Sequence, residues 1–230
     1  MIRVSNISKS FGDFEVLKGL SVDFEREGIS CILGPSGCGK TTLLNIIAGL
    51  VKPDTGTVSF TGNKGISIVF QDPVLLPWKT VFGNVIFPIR KLLDGEELKA
   101  TGLNNLKLVK LDSYLGHYPA QLSKGMKQRT AIARGLSYPA DVILMDEPFN
   151  SLDVNLRQSI MASVRDEIKV KKQSLIFISH DPDEALFMSD RIFVFKKRPV
   201  SSYRIFEVTE TTSEDELLRI KTGIIESMEK

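Results

Sequence analysis

One eight-residue segment, 34–41, constrains the fold more than any other part of the sequence. It has a glycine, four further residues and then Gly-Lys-Thr, and it lies between an apolar β-rich run (28–33) and a helical pattern (40–50). In this setting, the glycines let successive backbone N–H groups converge on one anion, and the helix N-terminus adds a positive field. The segment therefore predicts a phosphate-binding loop for a nucleotide.

The loop and the start of the helix supply the first group of candidate nucleotide contacts. These are Gly34, Pro35, Ser36, Gly37, Cys38, Gly39, Lys40, Thr41 and Thr42. In loops of this kind, the lysine reaches the β- and γ-phosphates and the hydroxyl residue after it ligates Mg²⁺. We therefore expect Lys40 to bind the phosphates and Thr41 to bind the metal ion.

A pair of carboxylates marks a second candidate site. Four apolar residues, 142–145, are followed directly by Asp146 and Glu147. A strand in an open parallel sheet presents its last residues where ligands bind, so Asp146 is predicted to hold Mg²⁺, directly or through water. Glu147 is then placed to polarise an attacking water as a general base. The alternative is an acidic strand end that faces solvent.

The remaining hydrophobic patterns predict an α/β protein. Predicted strands are 2–8, 20–24, 28–33, 57–60, 66–70, 142–145, 174–179 and 191–195. Predicted helices are 40–50, 96–108, 154–171, 183–188 and 214–230, with Pro53 expected to stop the first. Strands that alternate with helices indicate a largely parallel sheet with right-handed crossovers. We expect one domain over 1–230, in which 1–71 and 139–200 form the core, 72–138 a helical insertion and 201–230 a C-terminal extension.

Composition excludes several classes of protein. Thirty Lys and Arg against 28 Asp and Glu leave a formal charge of +2, which is low for a nucleic-acid binder. The two cysteines match no zinc spacing, and Cys31 lies in an apolar run typical of a core. Apolar runs are shorter than the roughly 18–20 residues that span a bilayer, and the N-terminus lacks signal-peptide features. We therefore expect a cytoplasmic protein that reaches a membrane through a partner.

Further motifs, in their order along the chain, make the sequence resemble ABC transporter ATPase domains over nearly its whole length. The resemblance implies that Phe11 stacks on adenine, Gln71 senses Mg²⁺ as a ligand and His180 contacts the γ-phosphate. The segment 150–153, which ends in Asp153, resembles the loop that communicates between two sites. The family's fold is a RecA-like P-loop NTPase core with an antiparallel β subdomain and an inserted helical subdomain. His117 matches no motif and is expected at the surface.

The segment 122–126 resembles the family's signature motif. In the family, its helix N-terminus faces the γ-phosphate bound by a second copy of the protein, which makes Ser123, Gly125 and Met126 contacts in trans. Here Lys124 replaces the first glycine of the commonest form, and Met126 replaces its glutamine. Lys124 either helps to hold the phosphate or points to solvent, and we favour solvent.

The resemblance implies an ATP hydrolase that binds ATP and Mg²⁺, dimerises around ATP and powers a membrane permease. The stretch 71–78 is similar to importer ATPases for nitrate, sulfonates, taurine and thiamine precursors, which implies import of a small organic or anionic solute and an indirect link to a soluble substrate-binding protein. In this stretch, Trp78 either meets a helix of the permease or packs inside the helical subdomain. The alternatives are an ABC exporter or a non-transport ABC ATPase, a P-loop phosphotransferase, and a non-catalytic binding module.

Overall fold

A computed structural model describes residues 1–209 and 211–229, and it contains nine strands and seven α-helices in that part of the chain. The strands are β1 (Ile2–Phe11), β2 (Phe14–Phe24), β3 (Gly28–Leu33), β4 (Thr55–Phe60), β5 (Ile66–Val69), β6 (Val142–Asp146), β7 (Ser174–Ser179), β8 (Arg191–Phe195) and β9 (Tyr203–Glu207). The helices are α1 (Lys40–Ile47), α2 (Val81–Ile86), α3 (Gly95–Leu108), α4 (Lys124–Ser137), α5 (Val154–Lys171), α6 (Pro182–Met188) and α7 (Glu214–Glu229). A short 3₁₀ helix spans Pro119–Gln121.

The larger sheet has the strand order β5-β6-β7-β3-β8-β9. Its first five strands are parallel, and β9 closes the edge antiparallel to β8. Strands β3, β6 and β7 are continuous apolar or small-residue runs because both of their faces are covered. Cys31 and Leu33 face one core and Ile32 faces the other, as the alternation of side chains along a strand requires. The predicted mainly parallel sheet is confirmed.

A separate antiparallel sheet has the order β2-β1-β4. Its apolar residues, among them Ile2, Val4 and Ile7, share one buried cluster with Leu43 and Leu44 of α1. This packing holds the hairpin between β1 and β2 over the start of α1. The position of the hairpin matters for the site described below.

Helices α2, α3 and α4 pack against one another and cover the β5 edge of the large sheet. The buried side chain of Asn84 in α2 fixes the preceding loop: its Oδ1 accepts a hydrogen bond from the Leu76 N–H at 2.8 Å, and its Nδ2 donates to Leu76 O, Lys79 O and Thr80 O at 3.0–3.1 Å. A buried amide that is fully hydrogen-bonded specifies one loop conformation. The loop 76–80 is therefore held rigidly beside α2.

Several features differ from the sequence-based expectation. Strand β1 ends at Phe11 instead of residue 8 and β2 begins at Phe14 instead of residue 20, because the two strands pair as a hairpin. Helix α1 ends at Ile47 instead of residue 50, because Gly49 adopts a positive φ of 73° and closes the helix before Pro53 is reached. Strand β9 and helix α2 were not predicted. The predicted C-terminal helix, 214–230, agrees with α7 as far as residue 229. Lys230 lies outside the described residues. Among the helices of residues 1–209 and 211–229, none is long and apolar enough to cross a membrane.

Candidate nucleotide site

The carboxyl ends of three neighbouring strands bring the predicted site residues together. The phosphate loop follows β3, Asp146 ends β6 and His180 follows β7. Because parallel strands end at the same edge of a sheet, these groups meet at one place. A cavity of about 410 Å³ opens there. It is lined by Phe11, Val16, Ser36, Gly37, Gly39, Lys40, Thr41, Thr42, Gln71, Glu147 and His180.

The phosphate loop needs glycine at Gly39. This residue adopts a φ of 122°, and a Cβ atom there would lie 2.8 Å from Cγ1 of Val16. A side chain would therefore combine a strained backbone with a steric clash. Val16 lies on β2, so the antiparallel sheet packs directly onto the loop, and sequence patterns alone did not identify Val16 as a wall of the cavity.

Lys40 is buried within the loop that it follows. Its Nζ donates hydrogen bonds to the carbonyl oxygens of Gly34 at 2.7 Å and Pro35 at 2.9 Å. Only 5% of the residue is exposed. The loop carbonyls thus hold one positive charge at the wall of the cavity, where the backbone N–H groups also favour an anion.

Asp146 is a buried carboxylate with an unused oxygen. Burial raises its pKa, the charge of Glu147 adds to that rise, and a hydrogen bond from Thr41 and the charge of Lys40 oppose it. Oδ1 of Asp146 has no hydrogen-bond partner among the described residues. A buried, unpartnered carboxylate oxygen beside a threonine hydroxyl is a donor set that suits Mg²⁺.

Glu147 is held by several neighbours. Its backbone has a φ of 44°, which is uncommon for a residue other than glycine, and its N–H donates to Ile178 O at 3.2 Å. Its Oε2 accepts hydrogen bonds from Gln71 Nε2 at 3.2 Å and from Asn150 Nδ2. His180 Nδ1 lies 3.8 Å from the same oxygen. Sequence reasoning placed Asn150 in a communicating loop but gave no sign of its contact with Glu147.

Phe11 lies at the end of β1, opposite Phe14 across the hairpin. The residue is 51% exposed and lines the cavity, and Lys9 Nζ lies 5.3 Å from the ring centroid. An exposed aromatic face at the rim of a pocket is suited to stacking on a nucleobase. The structure therefore brings Phe11 into the same cavity as the phosphate loop.

Several predicted contacts do not line this cavity in the single chain. Ser123, Gly125 and Met126 lie at the N-terminus of α4, where Ser123 Oγ accepts a hydrogen bond from the Met126 N–H at 3.2 Å. Asp153 caps α5 by accepting a hydrogen bond from the Leu156 N–H at 3.0 Å. Lys124 is exposed. The roles predicted for Ser123, Gly125, Met126 and Asp153 remain predictions.

Three loop residues also lie outside the lining of this cavity. Pro35 and Cys38 line a neighbouring hollow with Lys197 and Arg198, on the other side of the loop. The Cys38 residue is buried, and burial raises the pKa of its thiol. Gly34 approaches Phe195, with a would-be Cβ only 2.8 Å from Phe195 O. Gly34, Pro35 and Cys38 can therefore act on a phosphate only through their backbone or through loop shape.

Together the loop, the acidic pair and the parallel sheet define a nucleotide-binding α/β protein. The sequence profile described as "ABC transporter" matches residues 17–150, which is more than half of the chain. The chain belongs to the ABC transporter family.

Curated relatives agree with this assignment. The chain is 40% identical over 210 residues to the sulfate/thiosulfate import ATP-binding protein CysA of Mannheimia succiniciproducens, covering 85% of this chain and 59% of that protein. It is 36% identical over 223 residues to the spermidine/putrescine import ATP-binding protein PotA of Thermotoga maritima, covering 90% of this chain and 60% of that protein. The chain thus spans about 60% of the length of these relatives.

A solved structure shares the fold over most of the chain. It is the ATP-binding cassette MJ0796 in a dimeric post-hydrolysis state bound to ADP and Pi. The TM-score is 0.82 and the identity is 30%, with 91% of this chain and 99% of that chain covered. The predicted fold, an α/β P-loop cassette with parallel and antiparallel sheets, is confirmed by this likeness.

Proposed function

We propose that the chain is the ATP-binding and ATP-hydrolysing subunit that powers solute import through a membrane permease. The observation that carries the proposal is the convergence of Lys40, Glu147 and His180 on one cavity at the strand ends, with the buried carboxylate of Asp146 behind it, hydrogen-bonded to Thr41 of the lining. A binding module that does not hydrolyse ATP has no need for a held carboxylate beside the phosphate loop. The names of the curated relatives support import as the direction of transport.

Different residues of the site have different roles in phosphoryl transfer. Lys40 and the loop N–H groups bind the phosphates, and Phe11 stacks on the base. Glu147 accepts the proton of the attacking water, while its neighbours Gln71 and Asn150 hold its carboxylate. His180 lies at the cavity wall to donate to the γ-phosphate. Asp146, Thr41 and Gln71 would hold Mg²⁺, which when bound neutralises charge on the phosphates.

A second copy of the chain completes the site in this proposal. The exposed N-terminus of α4, with Ser123 and Gly125, is a helix end that attracts anions, yet it does not line the cavity of its own chain. It would meet the γ-phosphate bound by the partner copy, with Met126 and Asp153 beside it. The similar cassette MJ0796, whose solved structure is a dimer, supports this arrangement.

A second cavity supports a permease contact. It measures about 370 Å³ and lies between the sheet edge and the helical insertion. Its walls include Ile66, Ile68, Leu76, Phe87 and Tyr138.

Trp78, in the loop that leads away from Leu76, is 70% exposed, so it does not pack inside the helical subdomain. A groove of mainly apolar residues, with Ser67 and Arg134 also in its walls and an exposed tryptophan in the adjoining loop, suits a helix of a membrane protein. This contact would place the chain at the cytoplasmic face of the membrane.

For the solute, we propose a small organic or anionic molecule, such as a sulfonate, nitrate or a thiamine precursor. The similarity to sulfate/thiosulfate import subunits supports an anion, whereas the spermidine/putrescine relative is named for cations. A soluble substrate-binding protein would deliver the solute to the permease, without touching this chain.

The direct test of the activity is phosphate release from ATP by the purified chain and by its Glu147→Gln variant. Removing the general base should lower kcat by about 10²- to 10⁴-fold while ATP binding remains. Glu97→Gln, on the exposed surface of α3, is the matched control and should keep the activity of the unchanged chain. Near-normal turnover by Glu147→Gln would refute the role of Glu147. Phosphate transfer to an acceptor other than water would favour a phosphotransferase instead.

A further inference from the structure

Glu147 is oriented from one side only. Both of its side-chain donors, the amides of Gln71 and Asn150, give their hydrogen bonds to Oε2. No donor among the described residues contacts Oε1. A carboxylate anchored through one oxygen presents the other in a fixed direction, which is what a general base needs. The side chain of Glu147 is only 16% exposed, so that direction is further limited by its surroundings.

Asn150 reaches Glu147 because the turn between them is anchored in the core. Phe149 is fully buried, and its ring packs edge-on against Phe177 of β7 at a centroid distance of 6.4 Å. The turn is closed by a hydrogen bond from the Leu152 N–H to Phe149 O at 3.1 Å. The amide of Asn150 is thereby carried to Glu147, and its Nδ2 also lies 3.5 Å from Nδ1 of His180.

A partly buried ion pair connects this turn to the segment that carries His180. Arg157 donates from Nη2 to Leu152 O at 3.1 Å and from Nη1 to Glu184 Oε1 at 3.1 Å. Glu184 accepts a second hydrogen bond from Ser179 Oγ at 2.7 Å, directly before His180. These contacts hold the turn after Glu147 and the segment 179–181 at a fixed separation. Asn150 and His180 therefore meet Glu147 from defined positions.

We propose that Asn150 is a positioning residue for ATP hydrolysis, whose side-chain amide holds Glu147 so that its free oxygen points at the attacking water. The proposal rests on the proposed ATPase function. It assigns to the amide donor a role in the chemical step and none in binding the nucleotide. Removing the donor should therefore lower kcat and leave KM for ATP nearly unchanged.

Asn150→Asp keeps the size and shape of the side chain, and it replaces the amide donor by a negatively charged acceptor beside Glu147, so the hydrogen bond to Oε2 cannot form. A hydrogen bond to a charged group corresponds to about a 10- to 100-fold change in rate, so kcat should fall by that factor. KM for ATP should stay within about twofold of the unchanged chain. Asn155→Asp is the matched control, since Asn155 is exposed on the next helix and has no side-chain hydrogen bond in the described part of the chain.

The outcomes separate the two proposals. Phosphate release would be measured for the unchanged chain, Lys40→Ala, Asn150→Asp and Asn155→Asp. If the unchanged chain releases no more phosphate than Lys40→Ala, the ATPase function fails and the role of Asn150 with it. If the unchanged chain is active and Asn150→Asp keeps its kcat, only the role of Asn150 is overturned. An equal loss in Asn155→Asp, or a rise in KM alone, would also overturn it.

Discussion

At the scale of single residues, the carboxylates in and near the candidate site lie in different surroundings. Glu184 does not line the nucleotide cavity, yet it is 4% exposed and bonded to both Arg157 and Ser179. Burial raises its pKa, and the charge of Asp181 adds to the rise, while the hydrogen bond from Ser179 and the charges of Arg157 and His180 oppose it. Burial is the largest of these effects, so the ionised form is disfavoured in the folded chain despite its partners.

This shift predicts a pH dependence of stability. Above the ordinary pKa of 4.5, the unfolded chain has lost the Glu184 proton while the folded chain still holds it. The free energy of unfolding should therefore decrease as pH rises from 4.5 until the folded carboxyl is also ionised. Glu184→Gln should lack this part of the decrease, because an amide does not titrate. Urea unfolding of both proteins at a series of pH values measures the difference.

The control for this measurement is Glu97→Gln, an exposed position on α3 that should keep the pH profile of the unchanged chain. Asp146 also has a raised pKa and contributes to the slope in every variant, so only the difference between profiles is informative. Identical profiles for Glu184→Gln and the unchanged chain would show that burial does not shift Glu184.

At the scale of elements, the buried parts of the fold were the most predictable from sequence. The bounds of β3, β7, β8 and α5 agree with prediction, because a strand covered on both faces is an unbroken apolar run and a long helix repeats its pattern. Strand β9 has mostly exposed or half-exposed side chains and depends on pairing with β8, so its sequence carries a weak signal. Helix α2 is six residues long and contains Gly83, although its N-cap Thr80 was a usable sign.

The residues of the candidate site also differ in how well the sequence predicts them. Lys40 and Asp146 were predictable from local patterns, since the phosphate loop and the acidic pair lie at strand ends and the ends of parallel strands meet at one edge, whereas His180 was predicted from the family resemblance. Val16 and Asn150 reach the site through a hairpin and a turn whose tertiary placement no local pattern specifies. Such contacts could be identified only from the structure.

At the scale of the whole molecule, the proposed site is split between two copies. The nucleotide cavity and the N-terminus of α4 belong to the same chain but do not meet within it. Gly125 packs against the turn after Glu147, where a Cβ would lie 2.9 Å from Ser151 O. The helix end that would contact the partner's phosphate therefore rests on the turn after Glu147, the proposed general base.

We expect Glu147→Gln to dimerise with Mg-ATP and to remain monomeric with Mg-ADP, as measured by light scattering. Adding Ser123→Asp should abolish that dimer, because the new carboxylate would face the γ-phosphate of the partner copy. Aspartate is itself a good N-cap, so α4 should remain intact. Ser113→Asp, at an exposed loop position, is the matched control and should leave the dimer unchanged. A dimer that survives Ser123→Asp would contradict the shared site.

The position of Trp78 determines the tryptophan fluorescence of this chain. It is the only tryptophan in the sequence, so indole emission from this chain originates at a single point beside the proposed permease groove. With 70% of the residue exposed, that emission comes from a ring largely surrounded by water. Docking of a membrane helix would exclude that water and shift the emission to shorter wavelength, whereas the proposed nucleotide site is the other cavity. The fluorescence of Trp78 would therefore distinguish binding of the proposed permease from binding of nucleotide.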